Sequence, residues 1–123
     1  MASDKQKVYI NVPARHVREG IEYTDKATGE RRSFNVVELP PGTLLATGDV
    51  SGWEFSPLFV DPSDQGPDWR CIPLLAEREV RLSRTVMEDG RPKRDASGKR
   101  VKEQRTCDPV DLADAVRVAL GFE

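Results

Sequence analysis

The chain has 123 residues, 33% of them charged and 37% hydrophobic, and a net charge of -2. That length suits one domain, residues 1–123, with a core that needs no disulfide or metal, and the composition predicts a small core under a well-hydrated surface. The near-neutral balance counts against a wholly basic nucleic-acid-binding surface, and no stretch approaches the roughly 18 apolar residues of a membrane span.

In chain order, Lys7–Val12 alternates Val8, Ile10 and Val12 with Tyr9 and Asn11, the period of a half-buried strand, and Pro13 ends it. Ala14–Gly20 reads as a short turn that becomes extended at Val17. Ile21–Leu39 predicts a β-hairpin. Ile21 and Tyr23 alternate on one arm and Phe34 and Val36 on the other, with a polar tip at Thr24–Glu30 where Gly29 supplies a left-handed position. Leu39–Leu75 is the aromatic centre, holding Trp53, Trp69, Phe55, Phe59 and six of the nine prolines. Prolines at that density exclude a long helix and enforce extended segments joined by turns. Short strands are expected near Thr43–Ala46 and Trp53–Val60, a surface loop over Asp61–Asp68, and a return to the core over Trp69–Ile72.

Val80–Val86 is the clearest strand, with Val80, Leu82 and Val86 on one side and Arg84 interrupting that side. Arg100–Thr106 returns as its partner, so Val80–Thr106 reads as one long hairpin. Residues 87–100 form a projecting polar, basic tip marked by the turn signals Asp89-Gly90 and Ser97-Gly98. Asp108-Pro109 opens a helix: Asp108 can cap, Pro109 suits the first turn, and Leu112, Val116 and Leu120 fall on one stripe. Gly121 stops it, and Phe122 is placed to fold back onto the body.

The charge is unevenly spread. Met1–Val80 carries nine Lys and Arg against thirteen Asp and Glu, Arg81–Thr106 nine against four, and Cys107–Glu123 one against four. Seven cations, Arg91, Lys93, Arg94, Lys99, Arg100, Lys102 and Arg105, fall within fifteen positions. A basic β-arm of this kind can follow a phosphate backbone, and Trp53, Trp69, Tyr9 or Tyr23 would stack bases if exposed. The plainer readings are a solvated hairpin tip and tryptophans that fill the core.

Catalytic chemistry is hard to build from the remaining residues. His16 is the one histidine and reads as a turn residue; no nucleophile motif, phosphate loop or metalloprotease motif is present. His16, Cys71 and Cys107 are too scattered for a zinc site. Asp61, Asp64 and Asp68 share a loop without the calcium-loop pattern. The expectation is therefore no enzyme, no cofactor and no metal. The two cysteines are expected to be reduced and mostly buried in a cytoplasmic protein, because the polar MASDKQK start has no secretory apolar region.

Three stretches, VYINVPARHVREGIEYTDK (Val8–Lys26), SGWEFSPLFVDPS (Ser51–Ser63) and DWRCIPLLAEREVRL (Asp68–Leu82), resemble small accessory proteins carried by bacterial conjugative or phage-like elements. The resemblance names no family and transfers no site residues. It implies a task in a mobile genetic element: handling DNA during transfer, or blocking a host defence system.

The sequence thus predicts a mainly β (α+β) fold, a small antiparallel barrel or bent sheet with a long basic hairpin and one C-terminal helix. The expected activity is non-enzymatic binding of nucleic acid, single-stranded or read through its backbone, by the Arg91–Arg105 arm, with Trp53 and Trp69 as candidate stacking rings. The alternative is a protein-binding inhibitor or adaptor, such as an anti-defence (anti-CRISPR-like) factor, using the arm or the Asp61–Asp68 loop. A homodimer is a further option through an exposed edge strand.

Overall fold

The computed structural model describes residues 6–122. The chain runs through β1 (Lys7–Pro13), a single 3-10 turn at Ala14–His16, β2 (Val17–Thr24), β3 (Arg31–Glu38), β4 (Leu44–Leu45), β5 (Gly48–Asp49), β6 (Glu54–Phe55) and β7 (Asp61–Ser63). It continues through β8 (Gly66–Leu75), β9 (Val80–Thr85), β10 (Met87–Glu88), β11 (Arg91–Pro92), β12 (Lys102–Cys107) and α1 (Pro109–Ala119). Every strand pairing is antiparallel. The fold is mainly β with one C-terminal helix.

Two larger sheets carry the structure, one in the order β1-β8-β7 and one in the order β12-β9-β6-β3-β2. Among the described residues they stay open and do not close into a barrel, so the barrel form of the expectation does not stand. The tiny ribbons β4-β5 and β10-β11 are separate. β8 accommodates Pro73 because the pairing with β7 stops at Cys71: at Pro73 the strand has a neighbour on one side only, where a missing N–H is tolerated.

One core draws on both sheets. Ile10, Val12 and Ile72 come from the first, Val37, Phe55 and Leu82 from the second, and Leu39, Val50 and Trp53 from the segments between. The helix adds Leu112, Ala113 and Val116 and packs against β1 and β4. The Asp108 carboxylate accepts a hydrogen bond from the Val110 N–H at 2.8 Å, with Pro109 in the first turn. At the other end Gly121, at φ +82°, lets the Phe122 N–H reach the Arg117 carbonyl. No described helix is long and apolar enough to cross a membrane.

Two sequence expectations are corrected. Asp61–Asp68 is not a loop but the tight β7-β8 hairpin, with Ser63 opposite Gly66. Its turn is tied by the Ser63 hydroxyl, which donates to Asn11 Oδ1 at 2.6 Å.

The β2-β3 hairpin does form, but its apolar alternation belongs to the outer face. Arg18 opposes Val36 while Ile21 opposes Phe34, so β2 carries one extra residue, a bulge at Glu19-Gly20. Without it Val17 and Ile21 would share a face. With it Val17 and its partner Val37 face the core, whereas Ile21, Tyr23 and Phe34 lie on the opposite side. Gly20 sits at φ +64° and its N–H donates to Asn35 Oδ1, which holds the bulge.

Candidate nucleic-acid interface

The basic arm starts as a two-stranded stem, with Lys102 opposite Thr85 and Cys107 opposite Val80. It then forks instead of continuing as one long hairpin. Three passes of the chain meet where the Val86 N–H donates to the Val101 carbonyl, the Lys93 N–H to Val86, and the Val101 N–H to Lys93. Each of the two turn signals therefore closes a hairpin of its own. In the first, Asp89 and Gly90 both have positive φ, the geometry of a two-residue type I′ turn between Glu88 and Arg91. In the second, Asp95 and Lys99 close a loop above an isolated Arg94–Arg100 bridge.

Asp95 organises that second tip. Its Oδ1 accepts from the Ser97 hydroxyl at 2.6 Å and from the N–H groups of Ser97 and Lys99. These bonds, the Ser97 hydroxyl first, hold its carboxyl below the usual aspartate range. The carboxylate thus serves its own turn. Arg94 donates to the Gly98 carbonyl at 2.8 Å, and Arg94 and Arg100, both exposed, lie directly across the ribbon from each other. Like charges in that position repel.

The seven sequence-predicted cations are not equivalent. Lys93 reaches Glu88 at 3.9 Å. Arg91, Lys99, Arg100 and Lys102 are exposed and have no ion-pair partner among the described residues. Arg105 leaves the group. It shares the Leu82 face of the stem, and its half-buried guanidinium lies 5.0 Å from the centre of the Trp53 ring. Gly48, at φ +140°, makes room for it: a Cβ there would meet the buried Nη1 of Arg105 at 3.1 Å.

Trp53 is corrected as a stacking ring. It is 3% exposed, and Arg84 approaches the same ring at 4.9 Å while pairing with Glu103 at 3.1 Å. Two cations over an aromatic ring explain how charged residues occupy apolar positions of the stem. The expected break at Arg84 is thus a lid on the core rather than its end. Trp69 is half-buried and packs against Phe122 with ring centres 5.5 Å apart, so Phe122 does fold back onto the body. Neither tryptophan offers a free face beside the fork. Tyr9 and Tyr23 are exposed, at 53% and 45%.

No family model, curated protein or solved structure matches this chain. The site has to be read from its own residues.

Among the described residues no three His, Cys, Asp or Glu side chains gather where a metal ion could be held. Cys71 and Cys107 are half-buried and unbridged. Burial, reinforced by Asp108, Asp111 and Glu79, pushes the Cys107 thiol up to about 11, and burial with Asp61 and Asp64 raises that of Cys71. Both thiols are then neutral at physiological pH, the wrong state for a nucleophile. Iodoacetamide labelling at pH 7.5 should be slow at both cysteines. Cys107 should reach half of its plateau rate only near pH 11, as followed by peptide mass spectrometry; rapid labelling of Cys107 at neutral pH would contradict this environment.

Proposed function

We propose that the chain is a non-enzymatic binding protein whose forked arm neutralises phosphates of a nucleic acid, read through the backbone. The observation that carries this reading is the Arg94–Arg100 bridge. Two exposed arginines stand opposite each other across the tip, with Lys99 next to Arg100 in the chain, and Oδ1 of the nearby Asp95 carboxylate is taken up by its own turn. Such a pair is relieved by an anion that bridges it, and Arg favours phosphate through paired, planar donors. Arg91 and Lys102 extend the cationic track from the other fork and from the stem.

Lysine footprinting tests the contact directly. With an oligothymidylate of about 12 nucleotides, Lys99 and Lys102 should be protected from acetylation, while Lys26, at the far β2-β3 turn, should not. Equal acetylation of Lys99 and Lys102 with and without the oligonucleotide would remove the arm from the mechanism.

A further inference from the structure

The outer face of the five-stranded sheet carries a second feature, an open groove of about 1100 Å³. Its apolar lining includes the bulge-flipped residues Ile21 and Phe34, Val36 and the Pro57-Leu58-Phe59 crossover, and it also takes in Pro73-Leu74-Leu75 from β8 of the other sheet. Leu58 is 81% and Phe59 64% exposed. Tyr23 meets Phe34 edge-on with ring centres 5.6 Å apart, which widens the aromatic surface beyond the groove. Isolated exposed apolar residues need no explanation, but a contiguous aromatic patch does.

The charge around this patch is one-sided. Lys7, Arg18, Arg78, Arg81 and Lys102 line the groove against two carboxylates, Glu54 and Glu79. Glu54 is already paired with Arg18 at 2.7 Å. Arg78, Arg81 and Lys102 have no ion-pair partner among the described residues. Lys102 belongs both to the groove and to the arm, and Arg81 lies on the same outer face of the stem at its other end, opposite Thr106, so the groove runs on from the cationic track of the fork.

We infer that this groove is the base-binding half of the site: a single strand leaves the fork along Lys102 and Arg81 and stacks its bases on Phe34 and Phe59. The inference rests on the nucleic-acid reading of the arm. Rings that accept bases without hydrogen-bond readout, beside cations that follow the backbone, are what a sequence-tolerant single-strand surface requires. A duplex keeps its bases stacked and offers these rings nothing, so the groove selects single strands. It also moves the stacking role from the tryptophans, of which Trp53 is buried and Trp69 packs against Phe122, to phenylalanines that the bulge and the proline-led crossover leave exposed.

The test uses a labelled oligothymidylate of about 12 nucleotides and its duplex with oligodeoxyadenylate, followed by anisotropy. The unmodified protein should prefer the single strand. Phe34→Ala with Phe59→Ala should weaken single-strand binding by roughly tenfold or more per ring, leave duplex binding and the salt slope in place, and be rescued by Phe34→Trp with Phe59→Tyr. Circular dichroism melts of both double variants check that the sheet is intact. Undiminished single-strand binding in the folded alanine variant would overturn the groove and leave the arm standing. Absence of binding to either oligonucleotide by the unmodified protein would overturn the arm reading itself, and the groove with it. Capture of a synthetic acidic, leucine-rich peptide by the groove without any oligonucleotide binding would assign it to a protein partner, overturning the inference in favour of an inhibitor or adaptor.

Discussion

Reversing the three exposed cations that the fork and its stem leave unneutralised, Arg94→Glu, Arg100→Glu and Lys102→Glu, should cut affinity for a single strand on the order of a hundredfold at low salt. It should also flatten the dependence of log K on log salt by about 2, since each phosphate contact on a single strand contributes roughly 0.7 to the slope. The fold should survive, because the three side chains are exposed and belong to no core cluster and surface changes of this kind sit within about 0.5 kcal/mol. A control that reverses Arg15, Lys26 and Arg31 makes the same change in net charge on other exposed positions. It should lower affinity far less. If both triple variants lose affinity equally, the effect is one of net charge and the arm has no special place.

The largest effect on stability should come from Trp53. Its ring is buried among the core, its N–H donates to the Val50 carbonyl, and its carbonyl accepts from Leu39. Truncation to alanine removes a large buried surface and leaves a cavity, typically costing about 3–5 kcal/mol. It also takes away the ring under Arg84 and Arg105, so a half-buried guanidinium loses its aromatic partner. Against a total stability of about 5–15 kcal/mol, Trp53→Ala should lower the melting temperature by about 10 °C or more. Trp69→Ala, at a half-buried position against Phe122, should cost distinctly less. Comparable melting temperatures for the two variants would contradict the division of the tryptophans into core and periphery.

The parts legible in the sequence are those where one local signal decides the outcome. The Val8-Ile10-Val12 alternation makes β1, Asp108-Pro109 starts the helix with the cap observed, and the single turn after Pro13 returns to extended chain at Val17. The β2-β3 hairpin was legible, but its faces were not, because a bulge at Gly20 exchanges them and a glycine in a strand does not announce which bulge it makes. The fork escaped for a related reason. Asp89-Gly90 and Ser97-Gly98 are both turn signals, and sequence spacing alone does not show that Lys93 returns to the stem between them.

Arg105 was misplaced by counting charges along the chain. Its role depends on Gly48 and Trp53, more than fifty positions away, which clear the space and supply the ring. Phe34 and Phe59 carried no sequence signal of exposure: Phe34 alternates with Ser33 and Asn35 as a core-facing strand residue would, Phe59 sits in an apolar run, and only the register of β3 and the path of the crossover bring them outside. The open edges left by β2 and β12, where a barrel or a bent sheet was expected, likewise follow from pairings that no local pattern specifies.

The central claim is that the forked arm binds phosphate. The most direct measurement is the affinity of the unmodified protein for an oligothymidylate of about 12 nucleotides as a function of salt. With Arg91, Arg94, Lys99, Arg100 and Lys102 on the backbone, log K should fall with log salt at a slope near -3.5, or roughly -0.7 per contact. No binding at low salt, or binding with a slope near zero, would contradict the account.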